Sequence, residues 1–210
     1  VTTRFEYDSR GLVSTIIDGE GRSWIFEHDE DGRLAVQRDP KGHATTFEYD
    51  ELGRRELVRK ELGQEERYTY DKVGNLRFRT DFDGKTTEYI YDEMDRLVRR
   101  IDPDSGEVVI TYGGDDQRET VTTAAGTTTN HYDDAGRLVR VDLPAGRTLL
   151  HEYDGADRRI ALTSPLGRTT YGYDAQGRLV EVVNPDGGTF SLTRDSAGNL
   201  SRLDRPGGGY

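Results

Sequence analysis

The chain has 210 residues, 40 acidic against 29 basic side chains, and a formal net charge of -11. Charged residues make up 33% and hydrophobic residues only 32%, too little apolar material for a thick two-layer core, whereas 12 Tyr, 6 Phe and 25 Gly argue against plain disorder. The absence of cysteine excludes disulfides, thiolate metal sites and a cysteine nucleophile. The acidity makes nucleic acid and anionic membranes unexpected partners, and no apolar run approaches the roughly 18 residues of a membrane span.

In chain order, one phrase returns throughout. Tyr7-Asp8, Tyr49-Asp50, Tyr70-Asp71, Tyr91-Asp92, Tyr132-Asp133, Tyr153-Asp154 and Tyr173-Asp174 share a phase with the degenerate copies His28-Asp29, Tyr112-Gly113 and Arg194-Asp195. The ten anchors lie at 7, 28, 49, 70, 91, 112, 132, 153, 173 and 194, so the period is 20 or 21 residues. A period of this length marks an array of small repeats rather than separate domains, and the expected organisation is one array over residues 1–210.

Four residues after each anchor stands Gly11, Gly32, Gly53, Gly74, Gly136, Gly177 or Gly198, with Asp95, Asp116 and Asp157 as the exceptions. Aspartate is among the few other residues that tolerate a left-handed backbone, so a tight turn with positive φ is predicted here. A second turn closes each repeat, marked by Gly21, Gly42, Gly63, Gly84, Gly106, Gly126, Gly146, Gly167 and Gly187. The stretches between turns read as strands. Thr45-Thr46-Phe47-Glu48-Tyr49 and Thr86-Thr87-Glu88-Tyr89-Ile90-Tyr91 are β-branched and aromatic with period-2 alternation. The strand after each anchor alternates poorly: Leu138 with Val139, and Leu179 with Val180, are apolar neighbours that point to opposite faces. Whether both faces there are partly covered or partly wet stays open.

Short turns force antiparallel pairing of neighbours. The fold class expected is all-β, an array of two-stranded repeats in one continuous sheet. About twenty strands at roughly 4.8 Å each make a sheet too wide to stay flat, so it is expected to curl. A lone repeat buries too little to order itself, and pairing with its neighbours must supply the rest. The structural anchors Tyr7, Tyr49, Tyr70, Tyr91, Tyr112, Tyr132, Tyr153 and Tyr173 are expected to pack against their equivalents one repeat away.

The phrase Tyr-Asp-x-x-Gly-Arg-Leu at this period resembles the YD (Rhs) repeat family. Tyr132-Asp133-Asp134-Ala135-Gly136-Arg137-Leu138-Val139 and Tyr173-Asp174-Ala175-Gln176-Gly177-Arg178-Leu179-Val180 match its pattern without a gap. The family includes bacterial Rhs polymorphic toxins, wall-associated contact-dependent inhibition proteins, the C component of insecticidal toxin complexes and the animal teneurins. Its architecture is a spiralling β-sheet that closes a hollow shell, which in bacterial members encloses a toxic C-terminal domain. The resemblance thus implies a wall segment of such a shell, used in interbacterial competition, as with type VI secretion, or in insecticidal delivery. The implied partners are the remaining shell repeats and the enclosed toxin of the same polypeptide, with secretion-apparatus or adaptor proteins. A secreted or cell-surface location follows, although no signal peptide is visible. The first residue, Val1, and a last stretch, 204–210, that stops at a closing turn imply a piece of a longer array. The family's core segment, rich in Asp-Pro-x-Gly motifs and linked to self-cleavage, has no match here, so no cleavage residue is carried over. The rival reading is a cell-surface adhesion or carbohydrate-binding module, as the teneurin-type relatives suggest.

No catalytic residue, metal site or cofactor is predicted. Asp29-Glu30-Asp31-Gly32 and Asp81-Phe82-Asp83-Gly84 lack the ligand spacing of a calcium loop and fall on repeat turns. His28, His43, His131 and His151 are dispersed, and carboxylate pairs such as Asp115/Asp116 arise from composition. Arg33, Arg54, Arg96, Arg137, Arg158 and Arg178 recur five residues after their anchors. They read as partners of a nearby Asp at an exposed turn edge, where a single change is nearly silent, with an anion-binding ladder as the alternative.

Overall fold

The computed structural model describes residues 2–104 and 106–207. Twenty β-strands and one 3-10 turn account for the regular structure among them. Two compact units divide the chain, one reaching to Glu107 and the other starting at Val108. The first holds β1 (Arg4–Tyr7), β2 (Val13–Ile17), β3 (Ser23–His28), β4 (Leu34–Arg38), β5 (Ala44–Tyr49), β6 (Arg55–Lys60), β7 (Glu65–Tyr70), β8 (Leu76–Thr80), β9 (Thr86–Tyr91) and β10 (Leu97–Ile101). The second holds β11 (Glu107–Tyr112), whose first residue belongs to the other unit, β12 (Arg118–Thr123), β13 (Gly126–Tyr132), β14 (Leu138–Leu143), β15 (Arg147–Tyr153), β16 (Arg159–Ser164), β17 (Gly167–Tyr173), β18 (Leu179–Val183), β19 (Thr189–Arg194) and β20 (Leu200–Asp204). The closing turn expected at 204–210 falls partly outside the described residues.

Within each unit every strand pairs antiparallel with its sequence neighbours, from β1–β2 to β9–β10 and from β11–β12 to β19–β20. The core is thin, as the composition requires. Leu57, Val58, Ile110, Val141 and Ala161 are the buried apolar residues among those described, and Glu66 is the buried polar one.

The poor alternation after each anchor has a specific cause. Glu6 faces Thr15 but Tyr7 faces Val13, so β2 carries one extra residue, Ser14, beside the anchor. Tyr132 likewise faces Leu138 while His131 faces Arg140, leaving Val139 extra. The same shift occurs at Tyr173, where Val180 is extra. A β-bulge resets the inside-outside phase by one residue. Leu138 and Val139 are therefore both half-buried, Arg140 is exposed, and Val141 is buried.

The repeat length of 20 or 21 also becomes a matter of turn chemistry. The two 20-residue steps, from 112 to 132 and from 153 to 173, contain the tightest closing turns. There Thr123 pairs with Gly126 and Ser164 with Gly167, leaving two-residue loops. A wider closing turn, such as that between Ile17 and Ser23, restores the longer step. Between β14 and β15 the connection is the 3-10 turn Pro144–Gly146, with Ala145 at φ 64°.

Candidate functional site

The anchor turn is built by its aspartate. In the first repeat Gly11 N–H donates to Asp8 O (3.0 Å) and Asp8 N–H to Leu12 O (2.8 Å). The Asp8 Oδ1 accepts the N–H groups of Arg10 and Leu12, both at 2.9 Å. At Asp133 the same oxygen accepts from Ala135 (3.0 Å) and Arg137 (2.9 Å). A short side-chain carboxylate reaching its own backbone two and four residues on is what selects Asp here. The chain then turns back through a left-handed residue. Gly11, Gly32, Gly53, Gly74, Gly136, Gly177 and Gly198 have φ between 77° and 109°, and Asp95, Asp116 and Asp157 lie at 58°, 63° and 60°.

The second carboxylate oxygen holds the arginine. Asp50 Oδ2 accepts from Arg54 Nε at 2.7 Å, Asp133 from Arg137 at 2.8 Å, Asp154 from Arg158 at 2.7 Å and Asp174 from Arg178 at 2.7 Å. The bond from the Arg137 guanidinium, with its backbone N–H, holds the Asp133 carboxyl below the ordinary aspartate range, and Arg158 does the same to Asp154. Asp92 is lowered by Arg96 in the same way.

From this grip the guanidinium extends over the next repeat. Arg33 lies over the Tyr49 ring at 5.0 Å, Arg54 over Tyr70 at 4.5 Å, Arg137 over Tyr153 at 5.2 Å and Arg158 over Tyr173 at 4.9 Å. The contact on the anchor ring is thus with an arginine, where the sequence pointed to another anchor. Successive anchors stand two strand spacings apart, roughly 10 Å, a gap that a ring does not bridge and an arginine does. The tyrosine answers in the opposite direction. The Tyr49 hydroxyl donates to Leu34 O (2.9 Å), Tyr70 to Arg55 O (2.8 Å), Tyr132 to Arg118 O (3.0 Å), Tyr153 to Leu138 O (2.9 Å) and Tyr173 to Arg159 O (2.8 Å). Tyr7, in the first hairpin, remains 60% exposed. Tyr112 ends β11 opposite Arg118, and Tyr91 ends β9 opposite Leu97.

The residue five past one anchor also meets the residue four past the next. A Cβ built on Gly53 would lie 3.3 Å from Arg33 Nη1, one on Gly198 3.2 Å from Arg178 Nη1, and one on Gly32 3.4 Å from Leu12 Cδ1. Gln117 Nε2 donates to Gly136 O at 3.0 Å. The glycine exceptions Asp95 and Asp157 show what this contact can become. Asp95 Oδ1 accepts from Asn75 Nδ2 (2.8 Å) and Asp157 Oδ1 from Arg137 Nη1 (2.7 Å). Aspartate at this position therefore does more than tolerate a left-handed backbone: it receives the side chain of the preceding repeat. The sequence held the signal, since these pairs recur 20 residues apart, but only the register shows that they meet.

The arginines thus differ from their sequence reading. They pair with an Asp at the turn, as expected, but the guanidinium faces of Arg33, Arg54, Arg137 and Arg158 also cover the anchor ring of the next repeat. They are half-buried, from 21% exposed at Arg96 to 40% at Arg178, and their surroundings are carboxylates and rings rather than an anion seat. Elsewhere His43 meets Asp39 (2.9 Å) and His131 meets Asp142 (2.8 Å). Among the described residues no group of three or more His, Cys, Asp and Glu is placed to hold a metal ion. No described helix is long and apolar enough to cross a membrane.

The RHS Repeat family pattern matches residues 28–65, 70–107, 132–169, 160–189 and 173–210. Curated protein sequences show no significant match. Among solved structures, the crystal structure of TcdB2-TccC3 superposes with a TM-score of 0.74 at 15% identity, over 97% of this chain and 12% of that one. The Photorhabdus luminescens Tc holotoxin pore with the TccC3-D651A mutation superposes with a TM-score of 0.58 at 14% identity, over 97% of this chain and 16% of that one. At these identities the likeness is one of fold, and the chain spans only a small part of the length of those proteins. With the repeat pattern matched over more than half its length, the chain belongs to the RHS repeat family.

Proposed function

We propose that the chain is a non-catalytic wall segment of an RHS-type shell that encloses a C-terminal toxin domain of the same polypeptide. One observation supports this most: the residues that define each repeat join it to the next, since Asp50 holds Arg54, Arg54 covers Tyr70 of the next repeat and the Tyr70 hydroxyl bonds back to Arg55 O. A wall needs unbroken lateral cohesion more than it needs a reactive group. The fold likeness to TcdB2-TccC3 is consistent with this role. On this reading the larger protein is exported and acts in interbacterial competition or insecticidal delivery, and its partners are further repeats, the enclosed domain and export or adaptor proteins.

The test places Tyr89→Pro in β9, which lies between β8 and β10. Proline removes a ladder donor and is excluded from interior strands. In the full polypeptide the variant is expected to expose the C-terminal domain to added protease and to harm the producing cell. Protection equal to the parent in a variant whose circular dichroism shows the opened ladder contradicts the proposal, as does turnover of a substrate by the 210-residue chain.

A further inference from the structure

Four positions in the series, Leu12, Asn75, Gln117 and Asn199, depart from arginine, and two of them precede an anchor tyrosine. Asn75 precedes the Tyr91 seat and Gln117 the Tyr132 seat. Surface hollows lie at both: one of about 550 Å³ lined by Tyr91, Asp71 and Asp95, and one of about 310 Å³ lined by Tyr132, Gln117 and Asp133. The Arg137 seat is the template for the first. There one guanidinium bonds Asp133 Oδ2 (2.8 Å) and Asp157 Oδ1 (2.7 Å) while covering Tyr153 at 5.2 Å. At the Tyr91 seat the ring and both carboxylates, Asp71 and Asp95, occupy the equivalent positions. Only the neutral Asn75 amide spans them, at 3.3 Å to Asp71 Oδ2 and 2.8 Å to Asp95 Oδ1. An amide satisfies hydrogen bonds but supplies no charge and is too short to cover the ring. The hollow is lined by five carboxylates and one guanidinium, Arg77.

We infer that the Tyr91 seat binds an alkylguanidinium group, the side-chain group of an arginine presented by a partner, held between Asp71 and Asp95 over the Tyr91 ring. Planar, weakly hydrated guanidinium suits this combination, because it bonds carboxylates edge-on and stacks on an aromatic face. Ammonium ions, compact and strongly hydrated, suit it less. The inference does not depend on the shell reading, since it rests on the contrast between seats of one molecule.

The test is a titration of the 210-residue chain with N-acetylarginine amide, followed by nuclear magnetic resonance of the tyrosine rings and backbone amides. Saturable shifts are expected at the Tyr91 ring and at the Asp71 and Asp95 amides, with a dissociation constant of about 1–10 mM, the range of weak single contacts. N-acetyllysine amide is expected to bind several-fold more weakly. Asn75→Arg supplies the guanidinium in cis, so it should weaken binding at Tyr91 at least about tenfold while leaving the chain folded. Gln117→Arg should leave the Tyr91 shifts unchanged. Should Asn75→Arg fail to fold, Asp95→Asn serves the same purpose, removing one carboxylate. Shifts that rise linearly without saturation, or binding at Tyr91 that survives both variants, overturn the inference.

Discussion

Each of the first four repeats makes two turns of nearly the same backbone, and they do different work. At the closing turn Gly21 N–H donates to Asp18 O (3.0 Å) and Asp18 N–H to Arg22 O (3.0 Å), as in the anchor turn. Yet a Cβ on Gly21, Gly42, Gly63 or Gly84 would meet nothing within 4 Å, whereas one on Gly53 or Gly74 would meet an arginine of the preceding repeat. Backbone geometry alone demands glycine at the closing turns of the first unit. At the anchor turns glycine answers both the left-handed backbone and a neighbour's side chain. The second unit shows a third solution: Cβ atoms on Gly126 and Gly167 would lie 3.1 and 2.6 Å from Pro144 and Pro185 of the next closing turns. The comparison teaches that a conserved-looking turn glycine is not one requirement, and that lateral packing can be placed at either edge of the ribbon.

The contrast is sharpest for the rings. Tyr70 carries the Arg54 guanidinium and a hydrogen bond to Arg55 O, while Phe82 on a closing turn carries the Lys60 ammonium at 3.9 Å and has no hydroxyl to bond the backbone. Tyr70→Ala should cost about 3 kcal/mol, and Phe82→Ala about 1 kcal/mol. Hydrogen exchange should place the first loss in the strands on both sides of Tyr70. Equal costs at the two sites would erase the distinction between the turns.

A smaller effect separates the glycines. Gly53→Ala and Gly63→Ala both put an L-residue at positive φ, 77° and 84°, which costs about 1 kcal/mol. Only Gly53 also displaces Arg33, so its substitution should cost about 2 kcal/mol by chemical denaturation. A larger loss at Gly63 would mean that backbone strain, not the neighbour, dominates both sites.

The repeat phase, the strand positions and the places of the two turns were legible in the sequence, because hydrophobic alternation and left-handed turn residues are local properties. Tyr49, Gly53 and Arg54 each announced themselves by periodicity. The pairing of Arg54 with its turn aspartate was legible too, but what these residues touch in the neighbouring repeat was not. The bulge beside each anchor disguised Val139 and Val180 as breaks in alternation. The reach of Arg33 to Tyr49 depends on a register between repeats that no single repeat encodes. For the same reason the consequence of Asn75 and Gln117 standing in place of arginine shows only once the neighbouring rings are in place.

The central claim is that arginine and tyrosine of successive repeats form one clasp, and a double-mutant cycle on Arg54 and Tyr70 tests it most directly. Denaturation midpoints of Arg54→Met, Tyr70→Leu and the double variant isolate the coupling between them. The clasp predicts about 0.5–1 kcal/mol of coupling for this pair, and none for Arg54 with Tyr49, the anchor of its own repeat. Additive losses for Arg54 and Tyr70, within the roughly 0.3 kcal/mol expected of independent sites, would contradict it.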